Sequence, residues 1–443
     1  MGKRIRQTVV GVVGLAAVVG VAGAPAAPPD WSKVPAKSVK LFYPGQSTYE
    51  WLVGPEHKKN AYKKVVQGEA CLSCHEGEEA DIGKKTSSGQ RLEPAKLDGK
   101  QATIDLKVQA AYDDKNLHWR FAWKTKNNFP GSAYPFYRFD GKEWKKYGAP
   151  RLDKEVQEGK QLAVYEDRLT IMLDDGKVPR FKEQGCWLTC HDGMRDTAKV
   201  ASEDAVKANP LLGQALKKKD VRKYLPATRT DANANASWDK TKSPEDIAKL
   251  KAAGQFVDLM QWRAYRSNPM GMADDGYVLE YRNFDEGKNM FSSNLDKEKK
   301  QPKYMFDAAK VGARAVSADK IRDPKGPQQL VIGRSAVPFD PAAGWKEGDL
   351  LPQYYLNRAD ATGSAADNAD VKGAWSNGTW TVVWTRALDT GHPQDDKVLK
   401  AGGVYTVGFA VHDDNITTRG HHVSFPVTLG LGAKADIEAV KTK

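Results

Sequence analysis

Cysteine is scarce in this chain, with four in 443 residues, at Cys71, Cys74, Cys186 and Cys190. An even count in an exported chain first suggests two disulfides, and the local sequence argues against that reading. Methionine is missing between Met1 and Met172 and there are only eight histidines, so a metal near the first cysteine pair has few soft or imidazole ligands to choose from. No long apolar run follows residue 23, so no later stretch could span a bilayer. The net charge is +12, yet no Lys/Arg run is both dense and interleaved with aromatics, which leaves no nucleic-acid site. The bases alternate with acids, as on a solvated surface. No internal repeat occurs, and no cluster of nucleophile, acid and base points to a hydrolytic or transfer enzyme.

The amino terminus has its own pattern. Lys3, Arg4 and Arg6 precede Thr8 to Gly23, which is almost wholly Val, Ala and Gly, and Ala24-Pro25-Ala26 offers a small-residue cleavage site. This reads as a secretory signal peptide over 1–26. The expected location is therefore the periplasm, with no spanning segment after cleavage.

The cysteines sit in two related strings. Cys71-Leu72-Ser73-Cys74-His75 has the spacing of covalent haem attachment: two thiols on one short turn reach the two vinyl groups of a single porphyrin, and the next His lies beneath the iron. A redox dithiol would need a βαβ setting, and these flanks are helical and charged. Cys186-Trp187-Leu188-Thr189-Cys190-His191 has one more residue between the thiols, which can bulge from the turn. Zinc would need a fourth ligand, and no other Cys exists. Two haems c are expected, with His75 and His191 as proximal ligands.

A haem with two protein ligands is an electron carrier, and an open sixth position allows small-molecule chemistry. For the first haem His57 is the nearby candidate. For the second, Met194 is too close in sequence to cross the porphyrin. His421 shares a strand face with Val423, Phe425 and Val427, so it points inward and His422 outward. His412 ends a strand in phase with Gly408 and Ala410. The order of preference is His421, then His412. His118, opposite the Leu117/Trp119/Phe121 face, and His392, in a Thr-Gly-His-Pro turn, read as structural.

Residues 27–98 read as a small, mainly helical cytochrome c unit. From residue 99 to 443 the period changes to two. Ile104, Leu106, Val108, Ala110 and Tyr112 alternate with polar residues, Asp113 to Asn116 turns, and Leu117, Trp119, Phe121 and Trp123 return, as in a hairpin. Further strands are expected at 169–173, 277–282, 329–334, 378–388, 403–412 and 421–429, with Asn377-Gly378 as a hairpin turn. Ser243-Pro244-Glu245-Asp246 opens a helix that Gly254 ends. Residues 201–240 read as a polar surface wrap. The expected fold is mainly β, an antiparallel β-sandwich with helical insertions.

The segments Asp258-Leu259-Met260-Gln261-Trp262-Arg263-Ala264-Tyr265-Arg266-Ser267-Asn268-Pro269, Ala273-Asp274-Asp275-Gly276 and Trp380-Thr381-Val382-Val383-Trp384, with the strands at 409–413 and 421–426, resemble the haem-binding domain of ethylbenzene dehydrogenase-related proteins. That family includes the gamma subunits of periplasmic molybdenum enzymes of the dimethyl sulfoxide reductase class. The resemblance implies a β-sandwich holding one haem between its loops and its edge. In the gamma subunits that haem is b-type, held by Met and Lys. This chain departs, with Cys186, Cys190 and His191 in the corresponding loop and His421 near the position of the Lys. The function expected is electron transfer by a dihaem cytochrome, with redox proteins as partners: a molybdenum oxidoreductase or a quinol-linked membrane cytochrome. The rival is a haem enzyme acting on a small sulfur, nitrogen or oxyanion species.

Overall fold

The structure, a computed structural model, describes residues 29–58, 60–90, 96–127, 129–231, 236–323 and 328–442. The expected signal peptide lies outside them. The main sheet contains β1 (Lys37–Phe42), β2 (Thr103–Tyr112), β3 (Asn116–Lys124), β4 (Arg168–Asp174), β5 (Val257–Arg263), β6 (Gly276–Val278) and β7 (Arg282–Phe284). It continues with β8 (Asp370–Ser376), β9 (Thr379–Ala387), β10 (Val404–His412), β11 (His422–Val423), β12 (Val427–Leu431) and β13 (Ile437–Lys441).

The period-two pattern becomes the β2–β3 hairpin. Tyr112 pairs with Leu117, and the Asp113 carboxylate caps the turn by accepting from the Lys115 and Asn116 amides, both at 2.7 Å. Asn377 and Gly378 take positive φ of 49° and 74° between β8 and β9, the backbone a tight two-residue hairpin turn requires. The helix Pro244–Ala252 forms as expected, with the Ser243 hydroxyl accepting from the Asp246 amide.

The strands lie in the order β8-β9-β3-β2-β1-β11-β10-β4-β5-β6-β7, with β12 and β13 bridging β10 to β2. Two separate sheets were expected; the hydrogen-bonded path is one thirteen-stranded sheet. Its pairings are antiparallel except where β13 runs parallel to β2 and β12. Aromatic side chains from the two wings meet across the core. Trp123 of β3 packs edge-on to Trp262 of β5 at 6.0 Å, and Trp119 edge-on to Phe409 of β10 at 6.1 Å. Each fully buried large apolar side chain contributes roughly 1.5–3 kcal/mol, so this seam holds the wings together.

Several expectations change. His118 does not face solvent: it is buried, with Nδ1 at 3.2 Å from the Thr385 hydroxyl and Nε2 at 3.0 Å from Asp113, because β9 covers that side. The strand expected over 277–282 is a tight turn of two short strands, β6 and β7. The one expected over 421–429 breaks into β11 and β12 around Pro426. The strand expected over 329–334 shrinks to Leu330–Val331. Residues 201–240 are not only a surface wrap, since Val206, Leu211, Leu212, Tyr224 and Leu225 are buried. The amino-terminal segment carries the expected short helices, among them Ala61–Val66, Leu72–His75 and Glu79–Ser87, but it also places β1 in the main sheet beside β2.

Candidate functional site

Cys71 to His75 form a single helical turn, in which the His75 amide donates to the Cys71 carbonyl at 3.0 Å. That turn puts both thiols and the imidazole together. His57 ends the short turn Pro55–His57, and the two imidazole centroids lie 6.1 Å apart at an interplanar angle of 28°. His75 directs Nδ1 to Glu78 Oε2 at 2.9 Å, and His57 directs Nδ1 to the Leu52 carbonyl at 3.0 Å. Each ring thus has Nε2 as its remaining donor, the arrangement that orients a metal-binding imidazole. The pair would supply imidazole ligands to an iron bound beside the two thiols. Burial lowers the His57 pKa, favouring the neutral ring that binds metal.

The four thiols are unpaired, which removes the disulfide reading. Burial pushes the Cys71 thiol up to about 12 and raises that of Cys186. A redox dithiol needs a lowered thiol pKa, so this environment does not suit one.

Cys186 and Cys190 are buried and line a cavity of about 540 Å³. His412, His421, Met172 and Met194 also line it, together with arginines from β4, β5 and β7. Among the described residues around this cavity none is acidic. A cationic lining suits an anionic guest such as a haem with its propionates. A Cβ on Gly408 would lie 3.1 Å from Cys186 Sγ, so the bare glycine leaves room for the sulfur.

His412 and His421 stack with centroids 4.7 Å apart at 18°. Burial drives the His412 pKa well below its usual value and lowers that of His421 to about 3; both rings are neutral. His421 Nδ1 contacts the Thr418 carbonyl, and His412 Nδ1 has no partner among the described residues. The two rings are stacked on each other and both line the cavity. His421 lines the cavity but is only half-buried. His422 is turned away from it but is not on the surface: it is buried, with Nε2 at 2.9 Å from the Gln101 carbonyl.

His191 is not brought to the cavity wall. It stacks on Tyr224 with centroids 3.7 Å apart, Nδ1 lies 2.7 Å from Glu50, and Nε2 faces the Leu188 and Tyr224 carbonyls at 3.1 and 2.9 Å. Its amide donates to Met194 Sδ at 3.1 Å. Glu50, Tyr224 and Arg419, whose guanidinium contacts Cys190 Sγ, were not foreseen. Glu50 and Arg419 lie among many other charges, and Tyr224 in a polar segment, so nothing local singles them out.

The two cysteine turns are joined directly. The Cys71 amide donates to the Glu183 carbonyl at 3.1 Å, and the Tyr49 amide to the Cys190 carbonyl at 2.6 Å. Trp187 packs on Phe42 at 5.4 Å and on Phe425 at 5.5 Å, and Phe425 lies parallel to His75 at 6.4 Å. Apolar side chains therefore fill the space between the turns.

The chain is 29% identical to cytochrome c-552 of Stutzerimonas stutzeri over 444 residues, covering all of both chains. It is also 29% identical to cytochrome c-551 of Rhodocyclus tenuis over 167 residues, covering 38% of this chain and 57% of that protein. A family model described as ethylbenzene dehydrogenase matches residues 28–424, through both cysteine turns and the closing strands, and the chain belongs to that family.

Proposed function

We propose that this protein is an exported dihaem c-type cytochrome that carries electrons between redox proteins. The observation that carries the reading is the His57–His75 pair, 6.1 Å apart with both Nδ1 atoms anchored. Cys71 and Cys74 would hold the first haem, with His75 and His57 on its two faces. Cys186 and Cys190 would hold the second. His191, His421 and His412 would be the imidazoles available to its iron. Bound haem supplies a one-electron couple. The protein's part is to fix the ligands, exclude water and keep the sites adjacent, which the Trp187–Phe425 packing favours. The full-length likeness to a protein named cytochrome c-552 supports the same reading.

No helix among the described residues is long and apolar enough to cross a membrane. The signal-like amino terminus supports a meeting with its partners in the periplasm. A net positive chain favours acidic docking surfaces. The partners we propose are a molybdenum oxidoreductase or a quinol-linked membrane cytochrome.

One observation favours a second reading for the second site. His191 is engaged with Glu50 and two carbonyls, so a position on the iron would be left for a small sulfur, nitrogen or oxyanion ligand. Intact mass of the purified protein, and reduced-minus-oxidised spectra with and without carbon monoxide, test both readings. Two added haems with neither binding carbon monoxide is the result expected of a carrier. Carbon monoxide bound at one haem would transfer the assignment to the enzyme reading, and a mass with no haem would end both.

A further inference from the structure

Away from both cysteine turns, the start of β5, the strands β6 and β7, and the loop between β9 and β10 bring five aspartates together. Oxygens of Asp258, Asp275 and Asp396 lie within 4.8 Å of one another, and so do those of Asp285, Asp395 and Asp396. Asp396 belongs to both groups, and none of the five is more than 5% exposed.

We propose that these five aspartates form a binding site for a divalent cation of the calcium type. Their hydrogen bonds use only some of their oxygens. Asp258 Oδ2 accepts from Arg386 at 2.8 Å and from the Lys397 amide at 3.1 Å. Asp396 Oδ2 accepts from Thr390 and Asp395 Oδ2 from Ser364, both at 2.7 Å. Asp275 accepts from the Gly276 amide and from Asn368. Asp258 Oδ1, Asp395 Oδ1 and both oxygens of Asp285 are buried without a partner among the described residues. Burying a carboxylate without a partner is costly, and four such oxygens converge here.

Cationic side chains do not balance the cluster. Arg386 pairs with Asp258 and Asp396, while the Lys397 ammonium is drawn to Asp174 and Asp175. Arg386 is thus the one guanidinium paired with the five carboxylates, with His392 within 4.8 Å of Asp396 on the outer side. Either protons or a metal ion must neutralise the rest. The donors of both groups are all oxygen, without sulfur or imidazole, the set preferred by a hard cation with six to eight ligands. A bound ion would add a further tie between these segments, which strand pairing and the Lys397 and Glu286 amides already join.

The proposal stands whether or not the haem reading does, and its test does not use haem. Purified holoprotein would be treated with EDTA, dialysed against calcium alone or magnesium alone, and analysed for metal content and for thermal unfolding by circular dichroism. The expected result is one calcium per chain and a higher Tm with calcium than with EDTA. Asp285→Asn should bind no calcium and lose the calcium-dependent rise. If that variant does not fold, equilibrium dialysis of the wild type with calcium decides alone. Absence of bound calcium with the same Tm in EDTA and calcium would overturn the site, leaving the aspartates protonated. Binding of magnesium but not calcium would overturn the calcium assignment.

Discussion

The two cysteine turns use the same residue types to opposite degrees of completion. At the first, a five-residue turn and a histidine some eighteen positions upstream place two imidazoles 6.1 Å apart, each with Nδ1 anchored. At the second, the thiols line a cavity with two stacked imidazoles, while His191 is packed between Tyr49 and Tyr224. The first site is also the more open: Cys74 is exposed, whereas Cys186 and Cys190 are buried. A site whose ligands are neighbours in sequence is assembled by local turns. One whose ligands come from a loop and two closing strands depends on the whole sheet, and its geometry is decided by packing.

The comparison breaks most visibly through the thiols. Cys186→Ser with Cys190→Ser should remove one haem from the intact mass and leave the first site's spectrum in place. Loss of both haems would mean that the sites fold as one unit, and no loss would mean that the second turn carries none. Next in size is His57→Ala. With the imidazole across from His75 gone, one of two low-spin signals should become high spin and bind carbon monoxide. Two unchanged low-spin signals would place the ligand elsewhere.

What the sequence made legible follows the same division. The period-two runs fixed the β2–β3 and β8–β9 hairpins because alternation and turn chemistry are local. His57 could be found because so few candidates lie near Cys71. The strand phase read from Val423 and Phe425 did not hold, since the strand there is only His422–Val423 and His422 is the more buried of the two histidines. What escaped depends on distant segments. β9 buries His118, and Tyr43 and the Gln101 carbonyl enclose His422. Likewise β1 joins the main sheet from a segment whose local pattern is helical. The aspartate cluster draws from residues 258 to 396, and no local spacing announces it.

The three histidines of the closing strands sharpen the second site. His421→Ala should let carbon monoxide bind at the second haem. His412→Ala should do so only if the neighbouring ring is the true ligand. His422→Ala should leave the spectra unchanged but lower stability, since its buried ring satisfies the Gln101 carbonyl; a lost partner of this kind costs about 1–3 kcal/mol. Carbon monoxide binding in His422→Ala but not in His421→Ala would show the strand register to be off by one.

The smallest change in the haem signals concerns the charge around the cavity. Arg168, Arg263 and Arg266 line it, and behind them Glu166 is fully buried, 2.6 Å from Arg266 and 3.3 Å from Arg168. Burial alone would raise the Glu166 carboxyl, but Arg266, Arg168 and Arg263 outweigh it and hold the pKa below the usual carboxylate value. A carboxyl depressed in the folded state binds fewer protons there than in the unfolded chain. Its contribution is therefore present above the unfolded pKa of about 4.3 and is lost as the pH falls through the folded value. Glu166→Gln should cost about 3–5 kcal/mol at pH 7, because it leaves buried guanidinium groups without their counter-charge. The cost should shrink below pH 4, where the wild type loses the same charge. The added positive field should raise the reduction potential of the second site and leave the first unchanged. Denaturant unfolding of both proteins at pH 7 and pH 3 checks the sign. An equal difference at the two pH values would assign the loss to packing rather than to charge.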